Sequence, residues 1–305
     1  MTATVTRPEY SIVIPHRDDL VGLNRTLAAL TSLSPLSPSF EVIVADNASR
    51  HGGHAAEQCA AAYSVLNVRV ISVPETGAGP ARNGGASIAQ GSRLAFLDCD
   101  CLPSDQWLIE ADVALQHADV VGGPVTVTLG EIPLEQATPA ALFDLFYGFD
   151  SYRSFHRDGL LLSGNLVMPR ALFDQVGSFR SGISEDRDWC IRAHAMGAHL
   201  SFCPALSIEH VALSDPDLIL RRWARVTRET RIFYAAHGFH WTRWIGYCLA
   251  VALSPAIHGW RIFQANHLKS ASMILKIRVM LLLIQVRLSR AWLGVRLVKI
   301  GKPRF

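Results

Sequence analysis

The chain has 305 residues, half of them hydrophobic, so it is long enough to bury one α/β domain with an appendage. Its net charge of +3 conceals a division: residues 1–219 hold 13 arginines and 25 acidic residues, whereas residues 220–305 hold 16 basic residues and one acid. The six cysteines form no CxxC pair and no zinc-like spacing, which argues against a zinc site and predicts reduced thiols in a cytosolic protein. The first ten residues contain no apolar run, so no secretion signal is expected there.

Strand-like and helix-like segments alternate along the first hundred residues. Strands are predicted at 10–14, 40–45, 68–73 and 93–97, with helices at about 16–30 and 55–63 between them. The glycine-rich stretch 75–85 is expected to be a loop that leads into a helix ending at Gly91. This alternation is typical of βαβ units and predicts a mostly parallel sheet.

The glycine-rich stretch does not match the common nucleotide motifs. Its GAGPAR at 77–82 has Arg82 where the dinucleotide fingerprint requires glycine, and it follows the third strand rather than the first. The chain also contains no GxxxxGK[ST] loop and no HExxH motif. A Rossmann NAD site, a P-loop and zincin chemistry are therefore excluded.

The stretch RLAFLDCDCLP at 93–103 places two carboxylates just after a buried strand. Asp98 and Asp100 would lie at the carboxyl end of that strand, where open α/β sheets bind their ligands. Two carboxylates one residue apart can hold Mg²⁺ or Mn²⁺ and leave coordination positions for phosphate oxygens. Asp-x-Asp occurs twice more, at 186/188 and 215/217, so it is the strand context that predicts a nucleotide-phosphate and metal site here.

The second half of the α/β region is predicted to contain further helices and strands. Helices are expected at 105–117, 140–149, 170–176 and 184–196, and strands at 119–127, 199–203 and 206–210. Glu185, Asp186 and Asp188 cluster in the first turn of the helix at 184–196. They either only stabilise the helix dipole or include a general base, and the residues alone leave both interpretations open.

Residues 213–305 are predicted to form a basic, apolar helical region. The charge-free run 244–260 has 17 residues, at the short end of a membrane span, and Pro255 and His258 interrupt it. We expect this run and 279–286 to lie in the membrane interface or re-enter it, with basic residues facing lipid phosphates. The alternative is a helical bundle packed on the catalytic domain or on a second subunit.

Five motifs in a fixed order resemble those of the family 2 glycosyltransferases. They are IVIP at 12–15, VIVADNAS at 42–49, GAGPARNGG at 77–85, LAFLDCD at 94–100 and GISEDRDWCIRA at 182–193. The resemblance covers about residues 8–212. It implies an α/β GT-A nucleotide-diphospho-sugar transferase fold, Rossmann-like with a mostly parallel sheet, as a catalytic domain at 8–212 followed by the helical region at 213–305. It also implies a nucleotide-sugar donor, a divalent metal (Mn²⁺ or Mg²⁺) and inversion at the anomeric carbon.

The resemblance assigns roles to individual positions. The base is Asp186; donor-binding residues are Pro15, Asp46, Arg82 and Asp98; metal ligands are Asp98, Asp100 and His210; acceptor-binding residues are Glu185, Trp189 and Asn165. His210 could instead be a satisfied structural histidine, and Trp189 a core residue. Glu75 stands where many relatives have Asn, and Asn47 where many have a second Asp. The QxxRW motif of processive synthases is absent, which favours transfer of a single sugar.

These features predict an inverting glycosyltransferase that moves a sugar to a hydroxyl of a glycan or lipid-linked acceptor, in cell-surface or exopolysaccharide biosynthesis. Its expected location is the cytoplasmic face of the cell membrane, bound through the C-terminal region. One alternative is a polyprenyl-phosphate sugar synthase, and another is a non-catalytic membrane-surface or nucleic-acid-binding module. A nucleotidyltransferase is disfavoured because PHRDD, after the first strand, lacks glycine and lysine. The donor sugar, the acceptor and the linkage stay open.

Overall fold

The structure is a computed structural model that describes residues 7–50, 52–265 and 271–299. These residues divide into two compact units. The first lies within 1–126, 150–181 and 185–210, and the second within 127–149, 182–184 and 211–305. The second unit therefore includes residues 127–149, which the sequence-based division places in the catalytic domain.

A seven-stranded sheet in the order β3-β2-β1-β4-β8-β6-β9 forms the centre of the first unit. The strands are β1 (Tyr10–His16), β2 (Phe40–Asp46), β3 (Val68–Ser72), β4 (Arg93–Leu97), β5 (Cys101–Pro103), β6 (Val120–Gly122), β7 (Val125–Thr128), β8 (Asn165–Pro169), β9 (Leu200–Phe202) and β10 (Ile208–Val211). The neighbours β3, β2, β1 and β4 are parallel, and β6 is parallel to β9, whereas β8 runs antiparallel to β4 and β6. The predicted mostly parallel sheet is thus confirmed. A second, three-stranded sheet has the order β5-β10-β7.

The other regular elements of the described residues are mostly α-helices. They are α1 (Leu20–Thr31), α2 (His54–Ala61), α3 (Ala78–Ile88), α4 (Trp107–Ala114), α5 (Pro139–Tyr147), α6 (Ser151–Asp158), α7 (Arg170–Val176), α8 (Glu185–Ala195), α9 (Pro216–Ala236), α10 (Trp241–Leu253), α11 (Pro255–Gln264) and α12 (Met273–Arg296). In the first unit, the apolar strand residues Val13, Ile43 and Phe96 pack in one cluster with Phe173 and Trp189. Alternating strands and helices bury these apolar runs, as the sequence pattern predicts.

The expectation of a loop at 75–85 is wrong, because α3 already begins at Ala78. Gly77 precedes the helix with a φ of +134°, a conformation that suits glycine, and Pro80 lies in the first turn, where a missing N–H costs little. Gly85 lies inside the helix, and this position requires glycine because a Cβ there would collide with Cγ1 of Val13 in β1. The glycines therefore permit close packing of the helix on the sheet.

The second unit is a helical assembly with its own apolar core, to which α5, α9, α11 and α12 contribute. The charge-free run 244–260 is divided between two helices, because α10 ends at Leu253 and Pro255 begins α11. Within residues 7–50, 52–265 and 271–299, no helix combines the length and the hydrophobicity needed to cross a bilayer.

Candidate functional site

The carboxyl ends of β1 and β2 bring His16 and Asp46 together. Their strands are paired in register, and His16 Nδ1 lies 3.0 Å from Asp46 Oδ1, with both side chains buried. Asp46 also accepts the hydroxyl of Ser49 at 2.5 Å. His16 Nε2 is buried and has no hydrogen-bond partner in the described part of the chain. A cavity of about 190 Å³ opens beside this pair, lined by His16, Asp18, Leu20, Ser49, Arg50, Gly52 and Ala55.

Asn47, directly after β2, holds the segment that leads into α3. Its amide nitrogen donates to the carbonyl of Glu75 at 2.6 Å, and its side-chain oxygen accepts from the N–H of Gly77 at 2.6 Å. Both bonds need an amide, which carries a donor and an acceptor, and a carboxylate could make only the second. Asn47 thereby positions the start of the helix that carries Arg82.

Arg82 joins two carboxylates that are far apart in sequence. One guanidinium nitrogen donates to Asp98 Oδ1 at 2.5 Å and another to Glu185 Oε1 at 3.0 Å, and the side chain is only 3% exposed. Burial acts to lower the pKa of Arg82, but the charges of Asp98 and Glu185 outweigh it, and the pKa is raised. Arg82 therefore ties the carboxyl end of β4 to the first turn of α8.

Asp98 packs against Gly164, where the structure leaves no room for a larger side chain. A Cβ at Gly164 would stand 2.5 Å from Asp98 Oδ2, and the Asp98 side chain is 35% exposed. Because one carboxylate oxygen accepts from Arg82, the orientation of Asp98 is fixed. Its exposed part can still meet a ligand.

Asp186 is the second residue of α8 and is half-buried. Burial, followed by the negative charge of Glu185, raises the pKa of Asp186 to about 6, against the opposing effect of the Arg187 N–H, which donates to its Oδ1 at 2.7 Å. A carboxylate with this pKa is ionised at neutral pH and is a stronger base than an ordinary aspartate. The geometry thus provides a proton acceptor beside the buried Arg82.

Asp100 pairs with His210 where β5 and β10 lie side by side. His210 Nε2 is 2.9 Å from Asp100 Oδ2; the imidazole is 3% exposed and the carboxylate 37% exposed. No group of three or more His, Cys, Asp and Glu side chains within the described residues converges as a metal site. A Mg²⁺ or Mn²⁺ ion held mainly by diphosphate oxygens and water needs only one or two carboxylates, and an exposed carboxylate beside an imidazole fits that requirement.

The structure does not support acceptor binding by Asn165 or Trp189. Asn165 is buried, accepts from Trp107 Nε1 at 2.9 Å and donates to the Leu206 carbonyl at 2.8 Å. Trp189 has no exposed surface, and its Nε1 donates to the Gly177 carbonyl at 3.0 Å. Both side chains are satisfied inside the protein. Glu185, also predicted to contact the acceptor, is bound to Arg82 instead.

Sequence reasoning missed three participants. His16 could have been predicted from the sequence, because it directly follows the apolar residues of β1. Gly164 was harder to predict, since only the tripeptide Ser-Gly-Asn before β8 points to it. Nothing in the sequence points to the ion pair between Arg82 and Glu185, since 103 positions separate the two residues. Pro15 lies next to His16, at the edge where the sequence places the donor's base.

Comparison with known proteins finds glycosyltransferases. The family model described as glycosyl transferase family 2 matches residues 11–170. Glycosyltransferase AglE of Haloferax volcanii is 31% identical over 204 residues, which are 65% of this chain and 66% of that protein. The probable glycosyltransferase YdaM of Bacillus subtilis is 22% identical over 212 residues, 65% of this chain and 49% of its own. The matched part therefore spans less than two thirds of either relative.

Two solved structures share the fold at low identity. The mannosyltransferase PcManGT from Pyrobaculum calidifontis, in complex with GDP-Man and Mn²⁺, has a TM-score of 0.55 at 14% identity and covers 98% of this chain and 77% of its own. TarS 1-349 of S. aureus, in complex with UDP-GlcNAc, has a TM-score of 0.53 at 17% identity and covers 92% and 90%. At such identities the likeness concerns the fold alone, and it confirms a GT-A-like α/β architecture.

Proposed function

This chain belongs to glycosyltransferase family 2, and we propose that it transfers a sugar with inversion from a nucleoside-diphosphate donor to a hydroxyl of a glycan or lipid-linked acceptor. The proposed setting is cell-surface or exopolysaccharide biosynthesis. One observation carries the chemistry: the buried Arg82 holds Asp98 and Glu185 together, beside Asp186 with its raised pKa of about 6. A fixed acidic cluster with one carboxylate tuned towards neutral pH is what a general base requires.

The donor's base is proposed to bind beside β1 and β2. His16 lines the cavity there, with Pro15 next to it in β1 and Asp46 in contact with its ring, and the carboxylate of Asp46 is proposed to accept from a ring N–H of the base. The partly exposed oxygen of Asp98 is available to the ribose or to a metal. PcManGT is bound to GDP-Man and TarS to UDP-GlcNAc, so the family fold accepts more than one base.

Asp100 and His210, with Asp98, are proposed to hold a divalent cation. When bound, Mn²⁺ or Mg²⁺ would neutralise negative charge on the departing diphosphate. His210 fixes the orientation of Asp100 through the 2.9 Å contact, and the carboxylate is 37% exposed, so an ion can reach it. The buried imidazole also keeps water from that side of the carboxylate.

Asp186 is proposed to take the proton of the acceptor hydroxyl. As that proton moves to the carboxylate, the acceptor oxygen forms a bond to the anomeric carbon, and the bond from this carbon to the diphosphate oxygen breaks with its electron pair. A single displacement inverts the configuration, so no enzyme nucleophile is needed. Arg82 holds the side chain of Glu185, the residue before Asp186, in place by a hydrogen bond.

The second unit is proposed to bind the cytoplasmic face of the cell membrane. Of the 23 large hydrophobic side chains that are exposed in the described residues, 13 lie between residues 241 and 295. Six of the seven on α12 recur at helical spacing and form one stripe: Ile274, Ile277, Leu281, Leu288, Trp292 and Val295. With Arg278 and Arg296 exposed on the same helix, such a surface suits the boundary between anionic headgroups and acyl chains.

The test is binding and slow hydrolysis of UDP-, GDP- and dTDP-linked sugars with and without Mn²⁺. We expect one donor to bind in a metal-dependent way and Asp100→Ala to lose the metal dependence. Asp105→Ala is the matched control, since it removes an exposed aspartate shortly after β5. If none of the donors binds under any metal condition, the proposed activity is wrong.

A further inference from the structure

The second unit contains two arginines one helical turn apart that are withdrawn from solvent. Arg290 on α12 is 6% exposed, and Arg287 is half-buried. Both guanidinium groups face the ring of Trp223, with centroid distances of 4.3 Å for Arg290 and 5.5 Å for Arg287. Arg287 also lies 5.9 Å from the ring of Tyr147. The aromatic rings form the walls of a cationic cluster.

The hydrogen-bond partners of this cluster are uncharged, and they do not satisfy all of its donors. Arg290 donates to the hydroxyl of Thr227 at 3.2 Å and to that of Tyr247 at 2.9 Å. Arg287 Nε and Trp223 Nε1 are buried, and neither has a hydrogen-bond partner in the described residues. Donors thus outnumber acceptors, although buried donors are nearly always paired in folded proteins.

No carboxylate neutralises either arginine. Neither one forms an ion pair with Asp or Glu within residues 7–50, 52–265 and 271–299, and every acidic residue of the sequence falls in those ranges. The buried carboxylate of this unit, Asp144, is already saturated by Arg222, at 2.7 and 3.2 Å, and by the N–H of Leu213 at 3.0 Å. Among the described residues, no carboxylate therefore compensates this positive charge.

Burying a charge without a counter-ion costs free energy, and the same cost lowers the pKa values of both arginines. Burial, and then the neighbouring charge of Arg290, lowers the pKa of Arg287 to about 10. Burial likewise lowers the pKa of Arg290. Stacking on Trp223 offsets only part of this cost, because a cation–π contact is weaker than an ion pair with a carboxylate. An anion bound to these guanidinium groups would offset the rest.

We propose that Arg287, Arg290 and the indole N–H of Trp223 form a binding site for a phosphate group. Guanidinium forks match phosphate oxygens in pairs, and an indole N–H adds a neutral donor. The phosphate can belong to a lipid headgroup or to a soluble phosphate compound, and both present the same oxygens. This site lies wholly in the second unit and requires no sugar transfer, so it stands or falls independently of the proposed activity.

The test uses the full chain and two probes, inorganic phosphate and vesicles of phosphatidylcholine with or without phosphatidic acid. Melting temperature and tryptophan fluorescence report on soluble phosphate, and co-flotation reports on vesicles. We expect Arg287→Gln to weaken binding about 10- to 100-fold, as for loss of a charge-assisted hydrogen bond. The control Arg25→Gln removes the same charge from an exposed position of α1 in the first unit and should leave binding unchanged.

The outcomes separate the two phosphate sources. A response to inorganic phosphate assigns the site to a soluble ligand, and a response only to phosphatidic acid assigns it to a headgroup. No response to either probe, or equal losses in Arg287→Gln and Arg25→Gln, overturns the proposal. If Arg287→Gln does not fold, Arg287→Lys keeps the charge without the planar fork; it should weaken binding, whereas Arg25→Lys should not.

Discussion

The two units contain buried arginines in opposite electrostatic surroundings. In the first unit, Arg82 is enclosed by Asp98 and Glu185, and its charge organises an acidic cluster. In the second unit, Arg287 and Arg290 face aromatic rings and hydroxyls, with no carboxylate partner among the described residues. The first arrangement is complete as it stands and serves to position acids. The second is complete only with an anion, which is why it indicates a binding site.

The largest expected effect concerns the acid that the first cluster prepares. Asp186→Asn should lower transfer about 10²- to 10⁴-fold, because the general base is lost, while donor binding stays near wild type. Initial rates and donor affinity would be measured together. Asp174→Asn, an exposed aspartate on α7, is the matched control. Near wild-type turnover would refute the base assignment and favour a phosphate acceptor, as in a polyprenyl-phosphate sugar synthase.

The contrast between the two kinds of arginine predicts unequal effects on stability. Arg82→Met should lower the free energy of unfolding by up to about 3–5 kcal/mol, because it leaves Glu185 and the partly exposed Asp98 without their counter-ion. Arg287→Met should change the free energy of unfolding of the ligand-free protein by less than about 1 kcal/mol, or increase it, because it removes an uncompensated charge. Urea unfolding measures both. Equal losses in the two variants would erase the distinction drawn between the clusters.

The raised pKa of Asp186 predicts a specific dependence on pH. Activity should fall about tenfold per unit as the pH drops below about 6, because the base becomes protonated. The free energy of unfolding should change in the opposite direction. The pKa of Asp186 is 3.8 in the unfolded chain and about 6 in the folded protein, so the folded state binds more protons between these pH values. The contribution of this carboxylate therefore lowers the free energy of unfolding as the pH rises through that window. In Asp186→Asn that component of the stability profile should vanish. An unchanged profile would contradict the shift.

The smallest effect is expected at an exposed pair in the second unit. Arg225 and Glu229 lie 3.4 Å apart on α9, and the arginine is 57% exposed. Arg225→Gln should change the free energy of unfolding by less than about 0.5 kcal/mol, since solvent screens such pairs. Thermal unfolding measures this change. A decrease of several kcal/mol in the free energy of unfolding would show that the burial of an arginine does not determine its contribution to stability.

The sequence by itself predicted the first four strands along the parallel part of the sheet and the family, but the strand predicted at 119–127 is two strands, β6 and β7, which belong to different sheets. Apolar runs and their alternation are local properties, so β1, β2 and β4 were predicted within two residues of their observed ends. Asp98 and Asp100 follow β4 directly, and strand order places them at a ligand-binding edge. The helical character of the C-terminal region also follows from local composition.

Tertiary structure decided what each polar side chain does. The partners Arg82 and Glu185 are 103 positions apart, and no periodicity relates them. Asn165 and Trp189 matched family positions, yet folding buries both with protein partners. Gly85 was interpreted as part of a loop, although it serves the contact of α3 with Val13. Hydrogen bonding and burial depend on which distant segments meet, and that is set only when the chain packs.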